Sequence, residues 1–220
     1  MSMSFLNKGD KIGIISCSNG LSIKNKNIID ELKLNLKSLY IDMVEGDTLY
    51  AKEYNLFSGT GEEKARALEK LFLDKDIKMI FDISGGDLAN EVLDFLDFNL
   101  IKENPKPFFG YSDLTVLLNA IYSQCDITTY NYQLRNLIGK FKEEQMQNFK
   151  ASFIEGKEDI FNLDYKWING SYLEGIVVGG NIRCLLKLAG TKYMPNFKDK
   201  ILFLESFSGN SAKMVTYITQ

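Results

Sequence analysis

Apolar positions in this chain follow two alternating rhythms: short unbroken runs, and longer stretches with apolar residues three and four apart. The runs cover Lys11–Ser16, Tyr40–Val44, Ile77–Ile83, Pro107–Phe109 and Ile127–Tyr132, lengths that suit buried strands. Between them, Ile28, Leu32, Leu36 and Leu39 predict a helix over Lys24–Leu39. Ala65, Leu68 and Leu71/Phe72 predict one over Glu62–Phe72, and Val92, Leu93 and Leu96 one over Ala89–Leu96. Leu114, Leu117, Leu118 and Ile121 predict another that starts just after Ser112. Glu45–Gly61 reads as loop, and Gln133–Lys150 is polar and helical in character. Strands alternating with helices imply an α/β fold: a mostly parallel sheet with helices on both faces, flavodoxin- or amidotransferase-like.

The pattern changes past residue 150. Residues 1–150 form the expected N-terminal α/β domain, 151–166 a charged linker, and 167–220 part of a smaller C-terminal α/β domain. Within the last, Trp167–Gly175 reads as a strand pair or crossover, and Ile176–Val178 as a strand entering Gly179-Gly180-Asn181. A helix over Ile182–Leu188 ends near Gly190, Lys200–Leu204 is a strand closed by Glu205, and Ser211 opens a final helix.

Composition narrows the function more than the fold. Hydrophobic residues make up 45% and charged residues 25%, with a net charge of −3, so there is no basic field for nucleic acid. No apolar run is long enough for a membrane span, and the first residues lack signal-peptide character, so a cytoplasmic location is expected. Cys17, Cys125 and Cys184 are unpaired in number and widely spaced, which suits small buried hydrophobes in a reducing compartment; only Cys17 falls near a candidate site edge. The chain contains no histidine, which removes a Ser-His pair and a histidine metal site from these residues. Neither metal nor cofactor is expected.

Three polar loops follow predicted strand ends, where ligands of open α/β sheets bind: Cys17–Gly20, Ser84–Asp87 and Gly110–Asp113. Pro107-Phe108-Phe109-Gly110-Tyr111-Ser112-Asp113-Leu114-Thr115 reads as strand, abrupt turn and helix. Ser112 on that turn has the form of a nucleophile elbow, with Leu114 in place of the second glycine, or else Ser112 or Asp113 is a plain N-cap. Gly85 and Gly86 offer backbone N–H groups for an oxyanion, a helix-start loop, or a phosphate cradle that lacks its usual lysine. Glu205, at a buried strand end, is a loop cap or a site residue.

In order and spacing these pieces resemble the LD-carboxypeptidase (muramoyl-tetrapeptide carboxypeptidase) family, which includes the microcin-immunity peptidases. The resemblance rests on Gly9-Asp10-Lys11-Ile12-Gly13, Ile83-Ser84-Gly85-Gly86, Lys106 through Thr115, Gly179-Gly180-Asn181, and Leu188 through Tyr193 leading to Lys200–Glu205. It implies a metal-independent serine carboxypeptidase with Ser112 as nucleophile and Glu205 orienting a histidine base. Backbone N–H groups of Gly85, Gly86 and Asp113 would form the oxyanion hole, and Ser84, Asn131 and Asn181 would line the substrate pocket. It further implies a homodimer and, as substrate, an amide next to a free carboxylate, such as the L,D bond before the terminal D-alanine of a cell-wall tetrapeptide. The family's histidine lies beyond residue 220, so the resemblance implies a chain cut short of its triad.

Three positions depart from the family pattern. Ser84 stands where arginine or an apolar residue is usual, Tyr130-Asn131-Tyr132 where a Gly-Pro pair is, and Ser206 where an acidic residue is frequent. Two alternatives follow: a catalytically silent binding protein for peptidoglycan fragments, or an immunity-type peptidase acting on peptidyl or aminoacyl nucleotides.

Overall fold

The computed structural model describes residues 5–52, 57–157, 160, 164–207 and 209–220. Five strands form one sheet: β1 (Lys11–Ile15), β2 (Asp42–Glu45), β3 (Ile77–Asp82), β4 (Phe108–Gly110) and β5 (Thr129–Asn131). Every pairing is parallel, in the order β2-β1-β3-β4-β5. This is the flavodoxin-like doubly wound order, in which the loops beyond the carboxyl ends of the strands form the ligand-binding edge.

Alternate residues along the strands feed two cores. Ile15, Ile80 and Phe108 pack with α2 (Gly61–Leu73), α3 (Phe98–Glu103) and α4 (Thr115–Cys125) on one face. Ile12, Ile14, Phe81 and Phe109 pack with α1 (Lys26–Ser38) and α5 (Lys142–Phe149) on the other. Phe81 stacks on Phe109 at 4.4 Å between ring centroids, and Phe109 on Tyr130 at 4.5 Å, so an aromatic ladder ties β3, β4 and β5 together. Thr60 and Glu63 close a reciprocal capping box at the start of α2.

The second unit is a βαβ hairpin of parallel strands, β6 (Ile176–Asn181) and β7 (Lys200–Glu205), joined through α6 (Ile182–Leu185) and a short 3-10 turn. A last helix, α7, spans Ser211–Thr219. The unit is fastened to α4 by one amide side chain. Asn119 donates from Nδ2 to Gly179 O at 2.8 Å and accepts the Gly179 N–H at 3.0 Å, so it pairs with β6 as another strand would. No helix among the described residues is long and apolar enough to cross a membrane.

The sequence expectations need four corrections. Ala89–Leu96 is not a helix: a 3-10 turn over Ala89–Val92 leads to the unforeseen α3, because Asp97 caps a new helix by accepting the N–H groups of Asn99 and Leu100. Gln133–Lys150 is broken at Gly139 into a 3-10 turn over Leu134–Ile138 and the later α5. Trp167–Gly175 has no regular structure. Packing also runs past residue 150, since Phe153 on a π-helical turn is buried in the α1-side core. Part of the expected linker, residues 158–159 and 161–163, lies outside the described residues.

Candidate active site

Beyond Gly110 the chain turns at once. Tyr111 is extended (φ −151°), Ser112 is left-handed (φ 58°), and one 3-10 turn over Ser112–Leu114 runs into α4. A left-handed conformation costs a non-glycine residue about 1–2 kcal/mol. Such strain persists only where neighbours over-determine it. The Ser112 hydroxyl has no hydrogen-bond partner among the described residues.

The neighbour that fixes the turn is Asp113, whose side chain is fully buried. Its Oδ2 accepts from the Ser18 hydroxyl at 2.7 Å and from the Ala89 N–H at 2.9 Å, while its Oδ1 accepts from Lys187 Nζ at 2.5 Å. One carboxylate therefore joins the loops after β1, β3 and β4 to the C-terminal unit. Lys187 also donates to Asp87 O at 2.7 Å. Four residues earlier, Arg183 pairs with the Asp87 carboxylate, which lowers the Asp87 pKa and raises that of Arg183.

The glycine pair is held just as tightly. Asn19 N–H donates to Gly85 O at 3.2 Å, and in a trans peptide this turns the Gly86 N–H the opposite way. Gly86 has φ 131°, and a Cβ there would lie 2.3 Å from the Asn19 side-chain carbon, so only glycine fits beneath that amide. Ser84 faces inward: its hydroxyl donates to Asp82 Oδ1 at 2.5 Å and accepts the Ser18 N–H at 3.0 Å. Asp82 is fully enclosed, and burial raises its pKa against the lowering effect of its bonds from Ser84 and Cys17.

On the C-terminal side, Asn181 Nδ2 donates to Glu205 Oε1 at 3.1 Å, and the Asn181 N–H donates to Thr115 Oγ1 at 2.9 Å. Glu205 is thus linked through one residue to the first turn of α4. Asn131 is exposed at the end of β5 and borders two clefts. One, of about 370 Å³, runs between α4, β5 and the β6–β7 hairpin; the other, of about 310 Å³, is lined by Tyr111, Asn131, Tyr132, Gln133 and Asn136.

Seven of the eight residues singled out in the sequence thus stand on the turn, the loops and the strand ends that meet at this edge. Ser84 does so by its backbone only, and it lines neither cleft. Cys17 is fully buried, not at a site edge, and burial raises its pKa well above the usual thiol value. Three residues were not anticipated: Asn19, Arg183 and Lys187. The last two are four apart, and that spacing is the one signal that could have marked a basic helical face.

Residues 12–132 match the LD-carboxypeptidase N-terminal domain, and residues 174–220 match the LD-carboxypeptidase C-terminal domain. The chain belongs to the LD-carboxypeptidase family. Among its relatives, the putative carboxypeptidase YocD of Bacillus subtilis is 30% identical over 93% of this chain and 70% of its own length. The probable murein peptide carboxypeptidase of the same organism is 28% identical over 91% of this chain and 63% of its own. Among solved structures, the microcin C7 self-immunity protein MccF in complex with aspartyl sulfamoyl adenosine superposes with a TM-score of 0.82 at 25% identity. That match covers all of this chain and 75% of the other. The family is one of serine carboxypeptidases, and the doubly wound fold with its second small sheet is the one shared with MccF.

Proposed function

We propose that this chain carries the nucleophile and carboxylate of a serine carboxypeptidase that hydrolyses an amide next to a free carboxylate, with cell-wall tetrapeptides as substrate. In this reading Ser112 attacks, and the N–H groups of Gly85 or Gly86 and of Asp113 receive the oxyanion. Glu205, aligned by Asn181, orients the imidazole of a Ser-Glu-His triad. The observation that carries it is the left-handed Ser112 at the end of β4, strained and with its hydroxyl unengaged. The substrate class follows the murein peptide carboxypeptidase relative. A cytoplasmic homodimer, with an N-terminal domain bearing the serine and a C-terminal one bearing the glutamate, completes the proposal.

The 220 residues contain no histidine, so they do not themselves supply the base. General-base catalysis is worth roughly a hundred- to ten-thousand-fold. Release of D-alanine from N-acetyl-L-lysyl-D-alanine should therefore be slow, rise with added imidazole, and vanish in Ser112→Ala.

The missing histidine favours a second reading, a binding protein that keeps the pocket. Absence of turnover with or without imidazole, together with dipeptide binding that survives in Ser112→Ala, would select it. The similarity to MccF supports a variant of the first reading, in which the acyl group is attached to a nucleotide. Cleavage of an aspartyl sulfamoyl nucleoside in preference to the dipeptide would identify it.

A further inference from the structure

The segment after β5 holds two enclosed polar groups that lack partners. Tyr132 Oη and Arg135 Nε are both buried and neither makes a hydrogen bond. Among the described residues no carboxylate forms an ion pair with Arg135. A largely enclosed guanidinium is costly unless a negative group pairs with it, and unpaired arginines are accordingly rare in protein interiors.

The local geometry directs this charge toward the site. Leu134 and Leu137 are fully buried and fix the 3-10 turn against the α1-side core. Gln133 and Asn136, three apart on the next face, line the cleft of about 310 Å³ with Tyr111, Asn131 and Tyr132. Tyr132 and Arg135 share the third face, since residues i and i+3 eclipse in a 3-10 turn. In the sheet, β4 lies between β3 and β5. Arg135 starts from the β5 side, yet it feels the charge of Asp82 at the end of β3; burial lowers its pKa and Asp82 opposes that change. The guanidinium therefore reaches beneath the end of β4, where the Ser112 turn begins. Asp82 does not neutralise it there, because the Asp82 oxygens accept from the Cys17 N–H and from the Ser84 N–H and hydroxyl.

We propose that Arg135, backed by the Tyr132 hydroxyl, is the carboxylate anchor of this cleft. The proposal rests on the peptidase reading above and deepens it. The free terminal carboxylate of a peptide pairs with the guanidinium fork, a geometry arginine provides and lysine does not. Asn131, Gln133 and Asn136 supply neutral donors and acceptors for the neighbouring amide, which brings the scissile bond beside Ser112. The cleft lining contains no other cation, so preference for a free acid over an amide falls to Arg135 alone.

The test is calorimetric binding of N-acetyl-L-lysyl-D-alanine and of its C-terminal amide, in a Ser112→Ala background so that nothing turns over. The free acid should bind about ten- to a hundredfold more tightly than the amide, the range expected of a charge-assisted hydrogen-bonded pair. Arg135→Gln should abolish that difference, Arg135→Lys should restore part of it, and Tyr132→Phe should reduce it a fewfold. Arg135→Gln should melt no lower than the parent, since it removes an uncompensated charge; a purely structural arginine would lower the melting temperature instead. A preference for the acid that survives Arg135→Gln overturns the anchor and leaves the peptidase reading intact. Equal binding of acid and amide by the parent also overturns the anchor. If neither dipeptide binds, the substrate class falls and the anchor with it.

Discussion

Asn181 and Glu205 are register partners at the ends of β6 and β7, and the amide of one donates to the carboxylate of the other at 3.1 Å. The Asn181 backbone N–H reaches in the opposite direction, to Thr115 Oγ1 at 2.9 Å. A single residue thus sets the position of Glu205 relative to the helix that begins three residues after Ser112. Thr115→Val keeps the shape of the side chain and removes the acceptor, which leaves a buried N–H unsatisfied. The expected loss is about 1–3 kcal/mol of stability, read from urea denaturation. Turnover in imidazole should fall by more than KM changes, because the hydroxyl holds Glu205 and touches no substrate.

The Lys187–Asp113 pair should be worth more to the fold than any other ion pair described. Its carboxylate is fully buried and its lysine side chain is 19% exposed, whereas most of the remaining pairs lie in solvent, where each contributes about 0–1 kcal/mol. Lys187→Met removes the counter-charge and strands Asp113. The expected cost is about 3–5 kcal/mol, seen as a lowered denaturation midpoint. Adding Asp113→Asn should recover part of it, so the double variant should lose less than the sum of the singles. Strict additivity would mean that the two groups do not couple.

Ser112 is the position where stability and chemistry pull apart. Its left-handed backbone is strained in serine and relaxed in glycine, although glycine gives up conformational entropy on folding. Ser112→Gly should therefore raise stability by up to about 1 kcal/mol while it abolishes turnover. Ser112→Ala, which keeps the strain, should abolish turnover without that gain. If the glycine variant is less stable than the alanine variant, the strained-turn account of this serine is wrong.

How much of this was legible in the sequence depended on how local each determinant is. The five strands and the turn at Gly110–Ser112 were readable because apolar runs and a glycine before a capped helix are local signals. Asp113 was visible as a helix-start residue, but not as the hub of four segments, since Ser18, Ala89 and Lys187 lie far from it in sequence. Ser84 looked like a pocket residue because it precedes the glycine pair; the buried Asp82 carboxylate two residues earlier draws it inward. The failed helix over Ala89–Leu96 shows the same limit. Its apolar spacing was real, but a cap at Asp97 and the bond from the Ala89 N–H to Asp113 favoured a short turn and a fresh start.

The three cysteines give a test of burial through pH. Burial raises all of them: Cys125 to about 11, Cys184 to about 12, and Cys17 well above the ordinary value of 9.0. Because only the thiolate is nucleophilic, the native protein at pH 8 should resist iodoacetamide at all three positions, and unfolding should expose all three. The linkage has a definite sign. A raised folded-state pKa means that the native protein holds its thiol protons where the unfolded chain has released them. This contribution is fully present below about pH 9 and is lost as pH rises toward 11 and 12. Denaturation midpoints should therefore fall between pH 8 and pH 10.5, and replacing Cys184 by alanine should flatten part of that slope. Rapid alkylation of Cys17 in the native protein would show instead that the loop after β1 opens far more readily than its packing beside Asp82 implies.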